Sequence, residues 1–351
     1  MGVKATITGV GQALPASVFE QSEVVRKTVP SESFRERLID RVGIDYRPLG
    51  LDGNLEAFVE GESQEARRRR HEEWGIRLGA GAVRTAVRAG SADVTTAGHL
   101  VAVTSTGLLC PGLSFGIAAK TGMRSDAHLL DVVGMGCTGG LAALRSATQL
   151  VQRENSTAFV VCAEINSAMH YIDENRETAV VNSLFSDGAA CVVVRPASAN
   201  NSTEACAHVI GFDAQVWSEW SHTMRFEWDA RADTLRFRLT KQVPILVGRV
   251  IGPFVHRMLS RHGIEFASVK HWVVHGGGPA LVRAVARGIG LDPKVLAHST
   301  SVLRDFGNLS SGSVFFSLKR LLEASSSQGE LGVMIAMGPG LRIDGCVFEL
   351  G

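Results

Sequence analysis

LLDVVGMGCTGGLAALRSA, residues 129–147, is the stretch on which the reading of this chain turns. Leu129 to Val133 is a short, apolar, β-branched run that predicts a buried strand. The glycines between Gly134 and Gly140 break that run before an alanine- and leucine-rich helical segment begins. Cys137 therefore falls near a helix N-terminus. Unpaired backbone N–H groups and the helix dipole there favour the thiolate, the nucleophilic form of cysteine. Glycines on both sides give an incoming group close access to the sulfur. A buried structural cysteine is the competing reading, because free Cys is among the most buried residue types.

Outward from this unit, apolar strands alternate with helical segments. The strand-like runs of the first half are HLVAVTST (99–106), AHLLDVVG (127–134), TAFVVCAE (157–164) and GAACVVVRP (188–196). A polar Ser/Asn/Thr stretch from Ala197 to Glu204 reads as a loop between two halves, 1–200 and 201–351. The second half holds a strand over Ala207–Gln215, a helix over Ile245–His262, a strand ending at His275, a helical segment around Asn308, and a closing hairpin of LGVMIAMG and LRIDGCVFEL. Such alternation predicts an α/β protein. Gly53 to Arg70 reads as a charged surface insertion. The Arg67–Arg70 run, balanced by Glu62, Glu65, Glu72 and Glu73, predicts a solvated helix face.

Two further residues share the strand-to-glycine setting of Cys137. His275 follows the apolar Trp272–Val274 and precedes Gly276, Gly277, Gly278 and Pro279, which poises it at a cleft. Beside a cysteine it would take the thiol proton and hold a thiolate–imidazolium pair; alone it reads as a hydrogen-bonded loop histidine. Asn308, in Phe306-Gly307-Asn308-Leu309-Ser310-Ser311-Gly312, is either a turn or N-cap residue or a neutral donor that stabilises an enolate without protonating it.

These three segments, in this order, resemble the type III polyketide synthases, the chalcone and stilbene synthase-like branch of the thiolase superfamily. The likeness extends through VTSTGLLCPGLSF (103–115), VVCAE (160–164), SLFSDGAA (183–190), LRFRLTKQVP (235–244) and MGPGLRID (337–344). It implies the five-layered αβαβα thiolase fold, two related halves in one unit, and a homodimer. A closer likeness is to the bacterial synthases that make 3,5-dihydroxyphenylacetyl-CoA from malonyl-CoA alone. It rests on Asp131–Cys137, Thr178–Phe185, Met224–Asp229 and Val302–Ser313, and departs from that pattern at Pro279 and Ala280, where lysines are usual.

Carried over by position, the resemblance implies Cys137 as the acyl-carrying nucleophile, with His275 and Asn308 as the decarboxylation and oxyanion pair. It implies Phe185 and Phe237 as gatekeepers between a coenzyme A tunnel and the growing chain. Asn166 and Met169 are implied in a starter pocket, Gly338, Pro339 and Gly340 in the loop lining the cyclisation pocket, and Cys110 as a residue reaching across a dimer interface. Arg37 and Arg41, one helical turn apart, match basic positions at the tunnel mouth. The substrates implied are malonyl-CoA and, in the alternative, another acyl-CoA starter. No metal or redox cofactor is expected, since loss of carbon dioxide supplies the carbanion.

Gly134-Met135-Gly136-Cys137-Thr138-Gly139 is also a formal GxGxxG after a strand, with Glu164 near the distance of a ribose-binding acid. That NAD(P) oxidoreductase reading leaves His275 and Asn308 unexplained. A scaffold that has lost its chemistry is a third reading, disfavoured because all three catalytic groups are present. Among 351 residues, 36 Lys and Arg balance 35 Asp and Glu, which points to neither a nucleic-acid partner nor an anionic membrane. The six cysteines show no CxxC or zinc-ligand spacing. No signal segment opens the chain and no run reaches the roughly eighteen apolar residues needed to span a bilayer, so a cytoplasmic protein is expected. A formal myristoylation pattern at Met1–Thr6 gives way to ATITGVG as a first buried strand.

Overall fold

The computed structural model describes residues 2–56, 62–197, 205–230, 233–325 and 327–351. In chain order its strands are β1 (Ala5–Ala13), β2 (Val18–Glu20), β3 (Tyr46–Pro48), β4 (His99–Thr104), β5 (His128–Val133), β6 (Ala158–Glu164), β7 (Gly188–Pro196), β8 (Ala207–Val216), β9 (Met224–Asp229), β10 (Thr234–Leu239), β11 (Val269–Val274), β12 (Leu331–Gly338) and β13 (Arg342–Leu350). Among the described residues, nine of them join in the order β11-β12-β13-β8-β1-β7-β6-β4-β5. The N-terminal β1 is the seam: it pairs antiparallel with β7 of the first half and with β8 of the second.

Side chains alternate across each strand, and that period of two sorts the core into layers. Val101, Val160 and Val192 of the first half, with Val273, Met334 and Cys346 of the second, pack on Leu144 of the Gly139–Glu154 helix and Phe315 of the Ser313–Ala324 helix. These two helices form the central layer. Leu100, Phe159 and Val193 face the other way, onto the Gln64–Ala89 and Leu113–Thr121 helices. Trp272, Val333 and Val347 likewise cover the Val243–Arg261 and Pro279–Ile289 helices. Helix, sheet, helix, sheet, helix is the expected five-layer thiolase-like architecture.

Three expectations are corrected or bounded. The 129–133 run does form a strand, but β5 lies at the end of the sheet and is half exposed, with Val133 44 % exposed. Only β4 pairs with it among the described residues, so its outer edge has no strand partner there, while Leu130 and Val132 pack on the central layer. Residues 57–61 of the supposed surface insertion and 198–204 of the supposed inter-half loop lie outside the described residues. From Gln64 onward the insertion is a 26-residue helix, capped where Ser63 Oγ accepts from the Ala66 N–H. The Arg67–Arg70 run divides around that helix. Arg68 and Arg69 pair with Glu65 in solvent, as expected. Arg70 is instead half-buried against Glu62 and donates to the Ser167 carbonyl, and Arg67 donates to the Glu62 carbonyl. Among the described residues, no helix is long and apolar enough to cross a membrane.

Candidate active site

Cys137 owes its position to a turn that glycine makes possible. The chain leaves β5 with Gly134 and Gly136 at φ of 79° and 52°, runs through a short 3-10 turn over Gly136–Thr138, and enters the Gly139–Glu154 helix. A Cβ on Gly136 would lie 2.3 Å from Cδ of Pro339, so any other residue there would push the 338–340 loop away. Cys137 is buried, 5 % exposed, with Sγ 3.6 Å from Ser310 Oγ.

The other two groups arrive by separate routes. His275 ends β11, its N–H donating to the Ile335 carbonyl at 2.8 Å. Asn308 follows the Ala297–Phe306 helix and forms a parallel bridge with Phe185: its N–H donates to the Leu184 carbonyl and its carbonyl accepts from the Ser186 N–H. The Asn308 side chain makes an Asx turn, Oδ1 accepting from the Ser310 N–H at 2.8 Å. Its Nδ2 reaches the Gly277 carbonyl at 3.5 Å, which leaves the amide nitrogen with donor capacity to spare. A Cβ on Gly277 would sit 3.1 Å from His275 Nε2. Cys137, Ser310, Asn308, Gly277 and His275 thus form one unbroken chain of neighbours. This chain links three residues from separate segments through Ser310 and Gly277.

Burial works against the expected thiolate–imidazolium pair. Burial pushes the Cys137 thiol up to about 12, against a smaller opposing effect of the Ser310 hydrogen bond, and burial pulls His275 down to about 4. His275 Nδ1 has no hydrogen-bond partner among the described residues. Desolvation thus opposes at Cys137 what the helix N-terminus favours. One consequence is measurable. Since the thiolate alone is alkylated, iodoacetamide labelling of Cys137 should rise about tenfold per pH unit across the neutral and mildly alkaline range. A plateau beginning near neutrality, read from the mass of the Cys137 peptide so that exposed Cys110 does not interfere, would show a preformed ion pair.

A chamber opens beside Cys137, lined among others by Asn166, Met169, Phe185, Phe237, Ser310 and Pro339. Phe185 and Phe237 meet edge-to-face with ring centres 5.7 Å apart. Phe185 is held from behind by Arg47, wholly buried, which donates to the Phe185 and Asn182 carbonyls, Ser186 Oγ and Gln21 Oε1. Burial lowers that guanidinium to about 9, Asp187 opposing the shift. Asn166 Nδ2 donates to the Ser186 carbonyl at 2.5 Å, so its amide buttresses the wall as well as facing the chamber.

Pro339 reaches the chamber, whereas Gly338 packs on Met135 and Thr138, and Gly340, at φ 75°, shapes the turn behind it. Cys110 is exposed and does not line the chamber of its own chain. Cys162, Cys191, Cys206 and Cys346 are buried free thiols, as Cys137 is. Arg37 and Arg41 lie on the exposed face of the Glu32–Val42 helix.

Several site residues went unread in the sequence. Phe226 packs tilted against Phe237 with ring centres 5.0 Å apart and is a third aromatic of the chamber; its signal was cross-strand register, visible once β9 and β10 pair. Ser310 joins Cys137 to Ser105 Oγ at 3.0 Å. Ser105 in turn donates from N and Oγ to buried Glu164, whose other oxygen accepts from Ser311. Burial raises the Glu164 carboxyl, and these donors oppose the shift. With both oxygens engaged inside the fold, Glu164 does not face a ribose, and Gly136 packs on Pro339 rather than opening toward a pyrophosphate. The dinucleotide reading fails on both counts.

Comparison with known proteins agrees with this geometry. Residues 52–197 match the N-terminal domain, and residues 223–350 the C-terminal domain, of chalcone and stilbene synthases. The chain is 36 % identical over 349 residues to a 3,5-dihydroxyphenylacetyl-CoA synthase of Streptomyces toyocaensis, covering 96 % of this chain and 88 % of that one. It is 34 % identical over 343 residues to the enzyme of that name from Amycolatopsis balhimycina, covering 96 % and 90 %. In fold it is similar to the 1,3,6,8-tetrahydroxynaphthalene synthase of Streptomyces coelicolor, a bacterial type III polyketide synthase. That match has a TM-score of 0.89 at 22 % identity, covering 98 % of this chain and 99 % of that one.

Proposed function

This chain belongs to the chalcone and stilbene synthase family, the type III polyketide synthases, and from that premise we propose that it builds a resorcinol-type aromatic from malonyl-CoA alone. As a member it is an acyltransferase. The observation that carries the finer reading is the identity of 34–36 % along nearly the whole chain to synthases named for 3,5-dihydroxyphenylacetyl-CoA. A chamber narrowed by three phenylalanines supports a short chain that must fold on itself.

In this reading the acyl group of a thioester passes to Cys137. Sγ attacks the carbonyl, the C–S bond to coenzyme A breaks, and neutral His275 carries the sulfur's proton to the departing thiol. A malonyl unit then enters, its carboxylate leaves as carbon dioxide, and the bonding pair becomes an enolate. His275 and the Asn308 amide donate to the enolate oxygen. Neither is acidic, since His275 is held neutral by burial, so neither protonates the carbanion. The enolate carbon attacks the Cys137 thioester, expelling the sulfur and leaving the longer chain on coenzyme A for another round. Phe185, Phe237 and Phe226 exclude water from this step. Departure of carbon dioxide supplies the carbanion, so no metal or redox cofactor is invoked.

Arg37 and Arg41, exposed on one helix, suit the phosphates of coenzyme A at the tunnel mouth. A homodimer through the β5 edge is supported by the exposed Leu108, Phe115 and Val133 around Cys110. The test is incubation of pure protein with labelled malonyl-CoA and identification of products by mass. An aromatic acid or its thioester is expected. Turnover only with an added acyl-CoA starter would overturn the malonyl-only reading while leaving the family membership intact.

A further inference from the structure

The ribbon of β9 and β10 stands apart from the nine-stranded sheet, its strands paired with each other. A two-stranded hairpin is marginally stable alone in water, so its position depends on what ties it down. At its base the Gly340 N–H donates to the Met224 carbonyl and the Thr240 N–H to the Thr223 carbonyl, both at 3.0 Å. Along β10 the polar tie is Arg236, beside the packing of Phe237 and Leu239 on Val181 and Leu184. Its Nε donates to Tyr171 Oη, one terminal nitrogen donates to the Asp173 carboxylate, and Asp229 Oδ2 lies 3.7 Å from that same nitrogen. The guanidinium also sits over the Tyr171 ring, 5.4 Å from its centre.

The location of these partners matters more than their number. Phe237 is the next residue after Arg236 on β10. Tyr171 and Asp173 lie in the segment that leads into the Arg176–Leu184 helix, and Phe185 is the C-cap of that helix. Asn182 Nδ2 donates to the Tyr171 carbonyl at 2.8 Å, so the segment and the helix hold together. A single side chain therefore bridges the two walls that carry the two gate phenylalanines. With Asp173 and Asp229 both at one terminal nitrogen its charge is compensated, which suits a strut even though the side chain lines the chamber.

We propose that Arg236 is a positioning residue that sets the aperture between Phe185 and Phe237, and through it the bulk of the acyl starter admitted to Cys137. This rests on the reading of those phenylalanines as a gate, and the controls separate the two ideas. The full chain is compared with Arg236→Ala, Arg236→Lys, Asp173→Asn and, as a direct breach of the gate, Phe237→Ala. Two ratios are read: alkylation of Cys137 by N-ethylmaleimide relative to iodoacetamide, and kcat/KM for a long relative to a short acyl-CoA starter.

Arg236→Ala and Asp173→Asn should raise both by about threefold to tenfold, the range over which one partly exposed charge-assisted bond shifts an open–closed balance. Arg236→Lys should fall between these and the parent. Lower thermal stability with both ratios unchanged in Arg236→Ala and Asp173→Asn would overturn the proposal, because a purely structural tie would act that way. Should Arg236→Ala fail to fold, Asp173→Asn decides alone. If Phe237→Ala leaves both ratios unmoved, the gate reading itself fails. If it raises them and the strut variants do not, only the strut is wrong.

Discussion

Cys137→Ala is expected to abolish polyketide formation, by more than about a thousandfold, since losing the nucleophile removes the covalent intermediate itself. The fold should survive. Cys137 is buried, but truncating it to alanine removes a single sulfur atom, a change costing on the order of 1 kcal/mol in a packed site. Decarboxylation should persist at a reduced level, because the Asn308 amide and the His275 imidazole remain to hold an enolate. Parallel measurement of carbon dioxide release and of product mass distinguishes these outcomes. Polyketide at the parental rate from this variant would show that the chain is not carried on Cys137.

Asn308→Ala is expected to lower carbon dioxide release about a hundredfold to a thousandfold, the usual cost of one preorganised oxyanion donor. The substitution also removes the acceptor for the Ser310 N–H, and an unpaired buried N–H costs about 1–3 kcal/mol. Asn308→Asp separates the two effects, because it keeps that acceptor and loses the amide donor. Both variants should lose decarboxylation while Cys137 still takes up label from an acyl-CoA starter. Release unchanged in Asn308→Asp would mean that the amide nitrogen does not touch the enolate. Loss in Asn308→Ala alone would assign Asn308 to shaping the Ser310 turn instead.

The sequence and the structure agree most closely where a local signal had no competitor. Apolar runs of strand length, broken by glycines and followed by helical periodicity, located the strands that carry the site, and the resemblance to the family implied the layers. Cys137 and His275 were legible because each follows such a strand, and Asn308 because a glycine ends the helix before it. Arg47, Ser105, Ser310, Phe226 and Arg236 were not, and for a common reason. Serine, arginine and phenylalanine carry no mark that separates a surface, turn or core role from a place in a site until the partners are known. Arg47 is the extreme case: nothing in Tyr46-Arg47-Pro48 suggests that its guanidinium is wholly buried behind Phe185.

The sequence by itself determined the α/β class, the family, and three chemically apt side chains each delivered at the end of a strand or turn, because these depend on neighbours along the chain. Tertiary structure decided what those side chains are electrically and what surrounds them. Depth of burial, a property of the whole fold, acts on Cys137 and His275 against their charged forms and so opposes the local helix terminus. The same holds for β5, whose apolar residues read as core and lie at an edge: hydrophobicity is written in the residue, but the surface that covers it is not.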